Sequence, residues 1–306
     1  MTLQQLVYFL QTAEAGSFNA AARALHCSQP AVSEQVRRLE AELGAPLFAR
    51  VGRGLALTPA GRRFRGHAER VVSAADEASA SVGRGSFRRE RVVTMGMFRN
   101  APYYLVAELA AAFRADDPAV RLRLPGQNSA EVAEAVRDGE LESGLVVLPV
   151  EDRGLEVRVL FRDEVLFLSA DASRVAEPVT TERLAAAPLV LYDARYGFDD
   201  PTRRQLAARV QPAGLVLEPI VDVEHVETAL RLAALGVGDT VAARSLTLAD
   251  GFPAGLHAAG FAEPLYDTFS LVTRRGAPLS SGTRRLIGVV EGWADRVRRR
   301  IDDGVG

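Results

Sequence analysis

The side chains best suited to recognition lie close together. Ser28, Gln29, Pro30, Ser33, Glu34 and Arg37 fall at spacings that place them along one side of a helix, with Gln29 at its leading edge. Val32, Val36, Leu39 and Leu43 recur at intervals of four, three and four residues and form the opposite, apolar stripe. Ser28 is placed to cap the helix, and Pro30 falls in its first turn, where a missing N–H does little harm. A helix built this way buries one side and offers hydrogen-bonding groups on the other, as reading the edges of bases requires.

The elements around it must hold that face outward. Residues 16–25 predict a second short helix, capped by Ser17, with Phe18, Ala21, Ala22 and Leu25 on its inner side. His26-Cys27 makes the connection, so the pair reads as a helix-turn-helix; on spacing alone, an ordinary helical hairpin in a core stays open. An opening helix over residues 2–14 carries Leu3, Leu6, Leu10 and Ala13 at helical spacing and should pack across both. Gly44 ends the Ser28 helix. Residues 46–51, the turn Gly52-Arg53-Gly54 and residues 55–57 then predict a short hairpin, a wing, with Arg50 and Arg53 at its tip or flank, in reach of phosphate or the minor groove. Thr58-Pro59 starts a long helix running to about Val82. Its Phe64, Ala68, Val71, Ala75, Ala78 and Val82 repeat as a coiled-coil seam, and residues 83–86 read as a hinge.

From Arg91 the pattern alternates. Strands at 92–97, 120–124 and 144–148 are separated by helices at 103–114 and 130–137, a βαβαβ order that implies a parallel sheet covered on both faces. It recurs with strands at 165–169, 189–192, 216–221 and 240–243 and helices at 202–210 and 226–235. A returning strand at 268–273 and a last helix at 281–300 close the chain. In such sheets ligands bind beyond the carboxyl ends of strands, near helix N-termini. Four segments fall there: 97–100, 126–129, 192–196 and 224–228.

The first sixty residues carry an ordered set of positions: Leu6 to Phe9, Gly16-Ser17-Phe18, Ala20-Ala21, Leu25, residues 28–33, Leu39-Glu40, Leu43-Gly44, Pro46-Leu47-Phe48, Arg50 and residues 57–61. This set resembles the N-terminal signature of the LysR-type transcriptional regulators. The remainder resembles the family more loosely, in element order and length. The resemblance implies an α+β winged helix-turn-helix head, a long linker helix, and an α/β two-lobed effector domain similar to a periplasmic binding protein. The corresponding divisions are 1–58 for the head, 59–88 for the linker and hinge, 91–162 with 268–301 for one lobe, and 163–267 for the other.

The family further implies that the linker helix pairs with its copy, giving a homodimer or homotetramer on a dyad operator in double-stranded DNA, in the cytoplasm. Ser28, Gln29, Pro30, Ser33, Glu34, Arg37, Arg50 and Arg53 would then contact DNA. A small polar or anionic effector would be held between the lobes by Phe98, Arg99, Asn100, Gln127, Asn128, Ser129, Tyr192, Arg195, His225 and Thr228. Arg99 and Arg195 could clamp a carboxylate or phosphate from opposite lobes, while Ser129 reads more simply as a helix cap. His225 could bond the ligand or sense protonation. Two stretches depart from the family: Met97-Phe98-Arg99-Asn100, where Ser or Thr is common, and Gly236-Val237-Gly238-Asp239, where a charge enters an apolar run. An effector-independent regulator is therefore the alternative.

Composition limits the other classes. The chain has 306 residues, of which 48% are hydrophobic and 25% charged, with a net charge of −2. Residues 1–90 hold 12 Arg against 8 acidic residues, so the head is modestly basic and the body acidic. All positive side chains are Arg, which suits bidentate contact with phosphate or guanine. No apolar run approaches a membrane span, and no export signal opens the chain. The single Cys27 excludes an internal disulfide switch. An enzyme built on the α/β body would need a nucleophile elbow, a zinc-helix motif or a phosphate loop, and none is present. Neither a metal nor a cofactor is expected, and a transport binding protein is disfavoured by the head.

Overall fold

The computed structural model describes residues 1–51, 54–81, 91–116, 118, 120–249 and 251–303. The head opens with α1 (Leu3–Ala15), α2 (Phe18–Ala24) and α3 (Gln29–Leu43). Thr2, Ser17 and Ser28 cap them, each accepting from a backbone N–H in the first turn. The turn between α2 and α3 is tight enough to put His26 at φ 53°. Gly44 ends α3 at φ 67°, a conformation glycine adopts without strain. Leu6, Phe9, Leu10, Leu39 and Leu47 form the head core, and Ala21, Ala22 and Val32 a second small cluster. Leu43, read as part of the buried stripe, is 39% exposed. It is the last residue of α3 and lies outside that core.

The wing is β1 (Phe48–Val51) paired antiparallel with β2 (Gly54–Leu57), Phe48 opposite Leu57. The turn residue Arg53 lies outside the described residues. So do Val82 and the hinge at 83–86. The linker helix, α4 (Pro59–Ser81), starts on Thr58, whose Oγ1 accepts from Gly61 N at 3.0 Å. Its expected seam divides. Ala68 is buried in the head core and Phe64 packs against it, with Val72 added, whereas Val71 and Ala78 are exposed.

The body contains β3 (Arg91–Thr94), β4 (Gly96–Phe98), α5 (Ala101–Tyr104), α6 (Val106–Asp116), β5 (Val120–Arg123), β6 (Gly126–Gln127), α7 (Ser129–Arg137), β7 (Ser143–Leu148) and β8 (Leu155–Ser169). Next come α8 (Thr181–Ala185), β9 (Val190–Leu191), α9 (Pro201–Val210), β10 (Val221–Asp222), α10 (Val226–Ala234), β11 (Thr240–Ala243) and α11 (Arg244–Thr247). Then β12 (His257–Ala259), β13 (Leu265–Arg274) and α12 (Ser281–Asp303) complete the chain. The single strand expected at 92–97 is interrupted at Met95, and the helix expected at 103–114 is divided at Leu105. The strand expected at 216–221 shrinks to β10, because Pro219 supplies no N–H to a ladder.

Strands β4, β6 and β7 run parallel, as do β3 with β5. The two long strands β8 and β13 pair antiparallel and run through both lobes. Two apolar cores flank them. One gathers Met97, Leu109, Phe113, Phe269 and Trp293, the other Val165, Leu191, Leu206, Leu230 and Val241. Asp239, the charge inserted in the apolar run, is buried and ion-paired with Arg174 at 2.7 Å. The head rests on the first lobe: Arg121 pairs with Glu14 at 2.8 Å. A Cβ on Gly66 would lie 1.6 Å from the Gly139 carbonyl oxygen, so only glycine permits that approach.

Candidate functional site

Helix α3 has the two faces its sequence requires. Val32, Val36 and Leu39 are fully buried, while Ser28, Pro30 and Arg37 are exposed and Gln29, Ser33 and Glu34 half-buried. Ser33 Oγ donates to the Pro30 carbonyl at 3.2 Å. Glu34 gathers two arginines, with Arg37 Nη2 at 2.7 Å and Arg38 Nε at 2.8 Å. Hydrogen bonds from Arg38 and then Arg37 hold its carboxyl below the usual range. The Arg37 side chain remains 77% exposed, free to leave Glu34 for a phosphate or a base edge. Glu40, further along α3, accepts from Leu47 N at 2.7 Å and Phe48 N at 3.1 Å. Leu55 N donates to the Gly16 carbonyl at 2.9 Å. These bonds fix the wing beside α3 and leave Arg50 exposed on β1. The role of Glu40 was not read from its sequence position, because its partners are backbone groups seven and eight residues away.

The second site lies between the lobes. A cavity of about 30 Å³ is lined by Phe98, Arg99, Asn100 and Ser129 of the first lobe, and by Tyr192, Asp193, Asp200 and Thr202 of the second. Asp267 and Phe269 of β13 form its wall. A larger cavity, about 290 Å³, lies away from it between α4 and the first lobe, lined by Gly66, Ser73, Val93 and Thr283 among others.

The cleft is rich in carboxyl groups. Arg99 reaches across it, Nε 2.6 Å from Asp193 Oδ1 and Nη1 2.8 Å from Glu224 Oε1. Burial raises the Asp193 carboxyl, Arg99 opposes the rise, and Asp200 hydrogen-bonds to it. Asp200 is pushed up to about 8, first by burial and then by the charge of Asp193, so it holds a proton at neutral pH. Asp267 accepts from Thr202 Oγ1 at 3.0 and 2.9 Å and from Gln205 Nε2 at 3.0 Å. Its carboxyl is pushed up to about 7, chiefly by burial. Asp163 stands opposite Asp267 in the β8–β13 register and is also raised by burial.

Of the ten residues expected to hold an effector, Phe98, Arg99, Asn100, Ser129 and Tyr192 line the cavity. Gln127, Asn128, Arg195, His225 and Thr228 lie outside its lining. Asn128, not Ser129, caps α7, accepting from Ala130 N at 2.9 Å. Ser129 is instead turned inward, its Oγ accepting from Val147 N at 3.0 Å. Arg195 is exposed with its guanidinium over the Tyr196 ring, 5.6 Å from the centroid. His225 precedes α10 without a side-chain cap bond and is exposed.

Comparison with known proteins decides the family. Residues 3–62 match the bacterial regulatory helix-turn-helix proteins of the lysR family, and residues 88–295 match the LysR substrate binding domain. The chain belongs to the LysR-type transcriptional regulators. The HTH-type transcriptional regulator TfdS of Cupriavidus pinatubonensis is 33% identical over 259 residues, 80% of this chain and 83% of that one. ClcR of Pseudomonas putida is 32% identical over 259 residues, 81% and 84% of the two chains. Among solved structures, a full-length OxyR variant from Pseudomonas aeruginosa superposes with a TM-score of 0.71 at 25% identity, covering 97% of this chain and 98% of that one. CbnR complexed with its target DNA shares the fold, with a TM-score of 0.61 at 22% identity, covering 95% and 99%.

This LysR-type protein is thus a DNA-binding transcriptional regulator with an effector-binding domain, not an enzyme. Among the described residues, no helix is long and apolar enough to cross a membrane. The cleft residues that the sequence did not single out are Asp200, Thr202 and Asp267. Asp200 and Thr202 flank the start of α9, and Asp267 lies mid-strand in β13. An Asp-Pro helix start was a visible signal for the first two. Nothing local marks Asp267, which becomes a site residue only when β13 passes under α9.

Proposed function

We propose that the regulator binds a dyad operator as a homodimer or homotetramer in the cytoplasm, with α3 in the major groove and the wing on the adjacent backbone. The observation that carries this reading is the α3 face itself: Ser28, Pro30 and Arg37 exposed over a fully buried Val32, Val36 and Leu39. Gln29, Ser33 and Glu34 complete the reading face, and Arg50 and Arg53 grip phosphate. The divisions at 1–58, 59–88, 91–162 with 268–301, and 163–267 describe the functional units. Pairing of α4 across two chains uses its exposed Val71 and Ala78. Half-sites would lie about 34–36 Å apart, one helical turn, or a multiple of it.

The effector reading follows the cleft. Phe98, Arg99, Asn100, Ser129 and Tyr192 surround a small polar ligand; Gln127, Arg195, His225 and Thr228 lie outside the lining, and Asn128 is committed to capping α7. An anion clamped by Arg99 and Arg195 is disfavoured: Arg99 already answers two carboxylates, and Arg195 points outside the cavity. The small cavity, about 30 Å³, favours a second reading in which the protein regulates without an effector. Footprinting of the DNA upstream of its own gene, with mass by light scattering, tests the assembly. Two protected half-sites separated by whole helical turns, with at least a dimeric mass, are expected. A single protected half-site or a monomeric mass refutes it.

A further inference from the structure

We propose that Arg99 is a built-in occupant of the interlobe cleft: it reaches from the first lobe into a carboxylate cradle of the second, and the small molecule able to take its place is a guanidinium- or ammonium-bearing cation. The proposal rests on the reading of the cleft as the effector site.

The cradle belongs wholly to the second lobe. Asp193 and Tyr196 follow β9, and Glu224 follows β10. The two loops are laced by backbone bonds, Asp193 N to the Glu224 carbonyl at 3.3 Å and Ala194 N to the Val223 carbonyl at 3.0 Å. Glu224 uses its oxygens separately: Oε2 accepts from Arg195 N at 3.2 Å, and Oε1 faces Arg99. Asp193 is fixed at φ 61° and accepts Tyr196 N on its carbonyl at 3.1 Å. Each carboxylate is therefore aimed by its own lobe. Arg99 is the only first-lobe cation paired with the cradle carboxylates among the described ion pairs, with its guanidinium carbon 5.4 Å from the Tyr196 ring centre, while Glu131 of α7 meets the Tyr196 hydroxyl.

Two carboxylates and an aromatic face converging on one cation form a guanidinium or ammonium site. Removing Arg99 takes from Asp193, 2% exposed, and from Glu224 the one guanidinium ion-paired with both among the described residues, and leaves only Arg195, exposed over the Tyr196 ring, as a cation nearby. An incoming anion would meet that pair and be repelled, whereas a cation would restore the balance. The space left beside Arg99, about 30 Å³, has room for roughly one water, so Arg99 must leave before a larger ligand enters. Until then the two lobes are tied together from within.

Hydrogen exchange on the full-length protein tests this. In Arg99→Ala, amides of residues 192–197 and 98–100 should exchange roughly tenfold faster or more than in the wild type. Methylguanidinium should return them toward the wild-type rate, and acetate should not. The rescue should vanish in the double variant Arg99→Ala/Glu224→Gln. Unchanged exchange in Arg99→Ala, or rescue by acetate equal to that by methylguanidinium, overturns the proposal. Should Arg99→Ala not fold, the milder Glu224→Gln alone must accelerate exchange at 98–100, and its failure to do so is equally decisive. Binding to DNA upstream of the gene is read on the same preparations. Loss of it in the wild type would refute the regulator reading while the exchange data still judge the Arg99 tether.

Discussion

Replacing Asp267 by Asn should flatten part of the dependence of stability on pH. Asp267 is buried on β13 and accepts hydrogen bonds from Thr202 and Gln205. Burial pushes its carboxyl from 3.8 up to about 7. The folded state therefore keeps a proton that the unfolded chain releases near 3.8. The stabilisation is fully present below that value and is lost as pH rises through about 7. Over the interval from 3.8 to about 7, at 1.36 kcal/mol per pH unit, this amounts to about 4 kcal/mol. Asn cannot ionise, yet its amide oxygen still accepts from Thr202 and Gln205. The Asn variant should match the wild type below about pH 4, pull ahead progressively as pH rises, and exceed it by up to about 4 kcal/mol above about pH 7. The Asp267 charge also helps to raise Asp200, so its removal relieves Asp200 as well and shifts the difference in the same direction. Urea unfolding followed by the fluorescence of Trp293, buried in the core that holds Phe269, reads the effect. Parallel pH profiles for the two proteins would refute the reasoning.

Three further outcomes are expected. Arg37→Ala should weaken operator binding; if Arg37 reads a base, discrimination at one position falls by about 1–3 kcal/mol, and if it meets phosphate, the salt slope falls by about 0.9, as titrations at several salt concentrations will show. Leu39→Ala removes a fully buried side chain from the head core and should cost about 2–5 kcal/mol in head stability, visible as an earlier thermal transition and lost DNA binding. Replacing Ala75 and Ala78 of α4 together by Glu should abolish dimers in light scattering, and a variant that stays dimeric refutes the pairing assigned to that helix.

The head was legible because its signals are local. Ser28, Pro30 and Gly44 announce the ends of α3 through their own backbone chemistry, and Val32, Val36 and Leu39 announce its buried side through spacing. Leu43 kept the spacing but ran past the core. The alternating order of the body was also visible, but its breaks were not. Nothing in the stretch 92–97 marks Met95 as the break between β3 and β4, which comes from the shift of pairing from β5 to β6. The cleft was half legible. Strand ends pointed to Arg99 and Tyr192, while the partners that neutralise Arg99 come from loops more than ninety residues away. Spacing places residues on elements; it does not say which elements meet.

The most direct test of the central claim is equilibrium binding of the full-length protein to the DNA just upstream of its own gene, at two salt concentrations, with and without non-specific competitor. The account predicts tight binding that weakens steeply with salt and survives competitor. Binding that competitor abolishes, or that salt leaves unchanged, would contradict it.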